Sequence, residues 1–160
     1  MSQETLAVAV QENIARIRVN GRATFGCSED LKKFCTLMLE RKVEKIVLEM
    51  QTCAGMNSTF MGILTMVSLS AKKQNIPIEI NNASEENRQN LFSLGLKNMF
   101  SFTSNTETTT LKWQEVECSE VSQEKHSENV LNAHQTLIDV HEPNRKEFQD
   151  IITFLKESPE

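Results

Sequence analysis

The 160 residues, 39% hydrophobic and 24% charged, suffice for one domain with a buried core plus an extension, and their composition is globular rather than disordered. No apolar run reaches the ~18 residues that a bilayer span needs, and residues 1–4 lack the basic start and apolar core of a signal peptide, so the expectation is a cytoplasmic chain without membrane association. The net charge of −5 arises beyond residue 118, because residues 1–118 carry 13 acids and 13 bases while residues 119–160 carry 9 acids and 4 bases; no lysine or arginine stripe is present to neutralise nucleic-acid phosphates.

Along the chain, Leu6, Val8 and Val10 alternate with smaller or polar neighbours and predict a strand. Ala15, Ile17 and Val19, spaced by Arg16 and Arg18, predict a second, with Asn13 at the turn between them and Asn20-Gly21 as its end. Ser28 is placed to cap a helix whose first turn holds Glu29 and Asp30 and whose apolar face carries Leu31, Phe34, Cys35, Met38 and Leu39. A strand over residues 45–50 follows after a short connection, which makes a β-α-β unit with parallel pairing.

The stretch Met56-Asn57-Ser58-Thr59-Phe60-Met61-Gly62 then opens a helix that runs to about Lys73 and is apolar on more than one face. A hydroxyl pair at a helix start, just after a strand, suits a phosphate, since the first-turn N–H groups have no helical partner. Ile76-Pro77-Ile78-Glu79-Ile80 reads as a strand that begins or edges the sheet. Ser84 caps a further helix that stops at Gly95, and residues 99–102 form a short last strand. Residues 103–110 are a threonine-rich loop, and residues 111–118 a marginal strand or connection. Two helices close the chain, one over about 122–141 and one after Pro143. The fold class is α/β, a mixed sheet packed with helices, with domains at 1–118 and a helical extension at 119–160.

This order of elements, with residues 56–62 after the third strand, resembles a STAS domain over roughly residues 4–117, and within that family it is similar to the bacterial anti-sigma factor antagonists. The family pattern at this place is Asp-Ser-Ser/Thr-Gly-Leu-Gly, in which the first serine is phosphorylated. Ser58 matches that serine, Thr59 the next hydroxyl and Gly62 the closing glycine, while Asn57 replaces the aspartate and Phe60 the first glycine. The resemblance implies a non-enzymatic partner switch. It would bind an anti-sigma factor that is a serine kinase, through Met56, Asn57, Ser58, Thr59, Phe60 and Met61. Phosphorylation at Ser58, with Thr59 as the alternative, would release it, and a serine phosphatase would restore it. The alternative within the resemblance is an accessory subunit docked on a transporter ATPase.

Other candidates carry blander readings. Gly55 and Gly62 are wrongly spaced for a P-loop, and Phe60 and Ile63 stand where glycine and lysine are needed, which leaves no basis for a nucleotide enzyme. His126, His134 and His141 are two turns apart and read as interfacial or solvent-facing, so no metal or cofactor is expected. Cys27, Cys35, Cys53 and Cys118 show no C-x-x-C pair and read as reduced thiols, Cys53 as a buried bystander. Trp113 is expected where the body meets the extension. The terminal helices are expected to fold back as a hairpin that buries Val130, Leu137, Ile138, Phe148, Ile151, Ile152 and Leu155, with homodimerisation through them as the rival.

Overall fold

The computed structural model describes residues 4–24, 26–105, 110–118 and 120–157; residues 1–3, threonine-rich 106–109 and Ser119 at the expected domain boundary lie outside them. Strands β1 (Thr5–Gln11) and β2 (Ile14–Ala23) form a hairpin whose two turn residues, Glu12 and Asn13, both have positive φ (55° and 62°). That conformation matches the twist of paired strands. β2 does not stop at Asn20-Gly21 as its turn signal predicts. Gly21, at φ 76°, instead absorbs a register shift, and the strand continues to Ala23. Such a bulge redirects a strand. Beyond it β2 leaves β3 (Lys45–Glu49) and pairs with β4 (Cys53–Met56), a short strand the sequence pattern does not announce.

The remaining strands are β5 (Ile78–Asn81), β6 (Ser101–Thr103) and β7 (Gln114–Val116), and the sheet order is β6-β5-β3-β2-β1-β7 with β4 on the end of β2. β2, β3, β5 and β6 run parallel, and β1 pairs antiparallel with both β2 and β7, so β7 runs in the direction of β2. Because β5 lies inside this order, Pro77 precedes an interior strand rather than an edge. Its missing N–H falls ahead of the ladder and costs no pairing.

The period-2 alternation sorts each strand into two faces. Ala15, Ile17, Val19, Ile46, Leu48 and Ile80 pack into the core with Leu31, Cys35 and Met38 of helix α1 (Ser28–Glu40) and Phe60, Ile63 and Leu64 of helix α2 (Ser58–Lys73). α1 is not capped by Ser28. Its N-cap is Cys27, and the Ser28 hydroxyl donates instead to the Thr24 carbonyl at 2.8 Å. Helix α3 (Glu85–Ser93) has the expected cap, with Ser84 Oγ accepting from Asn87 N, and ends at Gly95 in the left-handed conformation, φ 78°.

Helices α4 (Gln123–Val140) and α5 (Asn144–Glu157) bring Ala133, Leu137, Ile138, Phe148 and Ile152 into the same apolar cluster as the sheet. Buried Asn144 fastens their junction, with Nδ2 donating to the carbonyls of Leu137 (2.8 Å) and Leu94 (2.9 Å). Val130 and Leu155 are half-buried, and Ile151 is 39% exposed, contrary to the expected apolar face. α5 is covered chiefly by α4, and one helix neighbour shields a narrower stripe than a core does.

The expectation of four unpaired thiols is also corrected: Cys27 and Cys118 form a disulfide, with Cα atoms 5.0 Å apart. Their 91-residue separation hides the pair from any spacing rule. The topology makes it, because β7 lies against β1 and delivers Cys118 to the start of α1. Cys35 and Cys53 are free and buried; burial pushes the Cys35 thiol up to about 12, so it stays protonated and unreactive.

Candidate functional site

α2 begins directly beyond β4. Asn57, in extended backbone (φ −98°, ψ 173°), caps it, with Oδ1 accepting from Phe60 N at 2.9 Å. Asn57 thus does the capping, and Ser58, the first helical residue, keeps its hydroxyl for other work.

That hydroxyl is engaged. Ser58 Oγ lies 2.8 Å from Nε2 of His134 in α4, and His134 Nδ1 lies 2.7 Å from the Val130 carbonyl. A carbonyl only accepts, so Nδ1 carries the imidazole proton. Nε2 of the neutral ring is then an acceptor, and the Ser58 hydroxyl donates to it. His134 is 2% exposed, and its ring meets Phe148 edge-on, centroids 4.9 Å apart. Burial lowers its pKa, opposed by the bond to Val130, which keeps the ring neutral.

α4 sits close to α2. A Cβ on Gly62 would lie 2.5 Å from the Ala133 carbonyl oxygen and 2.7 Å from the Ala133 Cβ. Glycine at 62 is therefore what permits the approach that brings His134 over Ser58. On the other side, buried Asn129 of α4 donates to Glu29 at the start of α1 at 3.0 Å.

The Ser58 hydroxyl is therefore engaged by α4 and half-buried. Among the residues expected to meet a partner, Phe60 is a core residue at 0% exposure; Met56, Thr59 and Met61 are buried, and only Asn57 and Ser58 are half-buried. Cys53, just before the motif, is buried with its thiol pKa raised by that burial. The Arg18 guanidinium of β2 stacks over the Trp113 ring at 4.5 Å. His141 lies against Gly95 at the end of α3. Among the described residues no group of three His, Cys, Asp or Glu side chains is placed to hold a metal, and no helix is long and apolar enough to cross a membrane. An open cleft of about 330 Å³ is lined by Ser68, Lys72, Ile76 and Phe100; Lys72 is 14 residues along α2 from Ser58, about 21 Å.

The sequence reading of His134 as interfacial or solvent-facing does not reach its pairing with Ser58. A signal existed, since His134 shares a helical face with Val130, Leu137 and Ile138. A histidine on a face that becomes buried needs hydrogen-bond partners.

This buried neutral imidazole predicts a pH dependence. Above the ordinary histidine value of 6.5 the group is neutral folded and unfolded and contributes no slope. As pH falls below it the unfolded chain takes up the proton first, so stability falls until the lowered folded pKa is passed. Urea titrations between pH 7.5 and 5 are expected to show a steeper acid-side loss for the parent than for His134→Gln. Equal slopes would remove the assignment.

The chain belongs to the STAS domain family, whose model matches residues 5–110. No curated protein sequence matches it. Solved structures share the fold. A candidate anti-sigma factor antagonist from Thermotoga maritima is 13% identical, with TM-score 0.56, over 61% of this chain and 85% of that one. The anti-sigma factor antagonist SpoIIAA in its unphosphorylated form is 16% identical, with TM-score 0.51, over 67% and 90%; the phosphorylated form, from Bacillus, gives 16% and 0.52 over 67% and 93%. A sulfate transporter family protein from Wolinella succinogenes is 18% identical, with TM-score 0.53, over 59% and 79%.

Proposed function

We propose that this protein is an anti-sigma factor antagonist: a non-enzymatic, cytoplasmic partner switch that binds an anti-sigma factor with serine kinase activity and is released when Ser58 is phosphorylated. The observation that carries this reading is the Ser58 hydroxyl at the first turn of α2, left unused by the Asn57 cap. In the modification, Ser58 Oγ attacks the terminal phosphorus of a nucleoside triphosphate held by the kinase. The new O–P bond forms as the bond to the bridging oxygen breaks, the nucleoside diphosphate leaves, and the hydroxyl proton passes to base or solvent. The product brings about −1.5 to −2 charges and three acceptor oxygens to a helix start that favours anions and to an interface that does not. A serine phosphatase reverses the change, and the effect on sigma-dependent transcription is indirect.

Incubation with ATP and the candidate kinases is expected to add about 80 Da, one phosphoryl group, to the parent and nothing to Ser58→Ala. Buried Thr59 is the alternative acceptor, and peptide mapping separates the two. A parent chain that stays unmodified with every kinase that phosphorylates comparable antagonists would defeat the reading. The second reading, a STAS subunit docked on a transporter ATPase, is favoured by the likeness to a sulfate transporter family protein. It predicts partner binding that survives Ser58→Asp.

A further inference from the structure

We infer that the α4–α5 hairpin is a built-in occupant of the Ser58 surface, so that seating of the hairpin and a phosphoryl group on Ser58 exclude one another. The inference rests on the reading of Ser58 as the modified residue.

Three observations carry it. The first is the direction of one hydrogen bond. Ser58 is the donor to His134 Nε2, because His134 Nδ1–H is committed to the Val130 carbonyl. A phosphoserine has lost that O–H. Its ester and phosphoryl oxygens present only lone pairs to the lone pair on Nε2. Nε2 becomes a donor only by taking up a proton, which the phosphate charge favours and burial opposes, so the neutral pairing seen here is lost either way. The second is space. Gly62, one turn along α2, leaves less than a methyl group's room below Ala133, the neighbour of His134. A phosphoryl group in the place of the hydroxyl proton meets the imidazole, and rotating it outward breaks the same bond. The third is desolvation. His134, itself 2% exposed and edge-on to Phe148, takes one side of half-buried Ser58, and a dianion facing that side without a cationic partner is disfavoured.

The occupant is identified by the chain itself. Asn144 holds the α4–α5 junction to the end of α3, and α4 follows β7, which is paired to β1 in the same sheet. The hairpin is thus tethered within reach of α2 after it lifts, and an external partner competes with a local, intramolecular rival.

Hydrogen exchange on the full-length chain tests this. Peptides covering α4 are expected to exchange at least ~10-fold faster in Ser58→Asp than in the parent, with peptides from β2 and β3 unchanged. Ser58→Ala, which removes the donor without adding charge, is expected to fall between them. A Ser58→Asp chain whose α4 stays as protected as in the parent overturns the inference. If charge at 58 unfolds the whole chain, Ala133→Glu takes its place: it pushes α4 off Gly62 with Ser58 intact, and kinase modification of Ser58 is expected to run several-fold faster than in the parent. An unchanged rate there overturns it equally. Failure of the two ideas is distinguishable. If the kinase phosphorylates the parent and the phosphoprotein keeps α4 protected, the exclusion falls and the switch stands. If no kinase modifies any form while Ser58→Asp still releases α4, the switch falls and the exclusion stands.

Discussion

Breaking the Cys27–Cys118 link is expected to lower the free energy of unfolding by up to about 4–5 kcal/mol, the loop-entropy value for a closed segment near 100 residues. The segment here spans 91 positions, so everything from α1 to β7 is closed in one loop, with β1 and β2 outside it, and the unfolded chain gains most when it opens. For an ordinary domain, with about 5–15 kcal/mol in total, that is a large share. Urea denaturation with and without reductant is expected to give a clearly lower midpoint in reductant for the parent and no difference for Cys27→Ser/Cys118→Ser. The slope is expected to rise on reduction, since an uncrosslinked unfolded chain exposes more surface. A parent whose midpoint ignores reductant shows that the link adds no stability. The same measurement bears on where the protein works. Disulfides persist in oxidising compartments and are reduced in the cytosol. If the protein is the cytoplasmic switch proposed above, it operates with the two thiols adjacent and unlinked, and with its extension less firmly held at the start of α1. Thiol counting after acid quench and denaturation is expected to find four free thiols if the bond is reduced in the cell, and two if it is formed.

Much of the fold was readable because its determinants are local. Alternation marks β1 and β2, a β-rich apolar run marks β3, Ser84 and Gly95 bracket α3, and the spacing of Leu137, Ile138, Phe148 and Ile152 marks the terminal helices. What was misread depends on contacts between distant segments. Gly21 looks like a turn in isolation and becomes a bulge only because β4 is there to pair beyond it. Cys27 and Cys118 acquire each other through the position of β7. At the site, the motif and its helix were legible, but not its covering. Ser58 was identified by its neighbours in sequence, whereas its partner His134 lies 76 residues away on an element whose own pattern says only that one face is apolar. Gly62 was noticed as part of a motif; its physical reason, the backbone of α4 pressed against it, is a tertiary fact.

That reason makes Gly62→Ala the sharpest probe of whether α4 sits on α2. Position 62 is inside a helix, and there alanine is favoured over glycine by about 0.8–1 kcal/mol when nothing else is touched. Were α2 open on this side, the substitution would raise the melting temperature. With α4 in place the new methyl falls 2.5 Å from a carbonyl oxygen and 2.7 Å from another Cβ, both on Ala133. Neither is the movable end of a long side chain, so a backbone must give. Overpacking of that kind costs about 1–3 kcal/mol, enough to outweigh the propensity gain. The expected result is a lower melting temperature, with hydrogen exchange in α4 accelerated and the β2–β3–β5 strands unaffected. The sign of the change is the discriminating quantity. α2 itself is strengthened by the substitution, so a loss of stability can come only from what lies against it. A gain would mean that the hairpin does not rest on the first turns of α2 in solution, and that the Ser58 hydroxyl has no histidine over it.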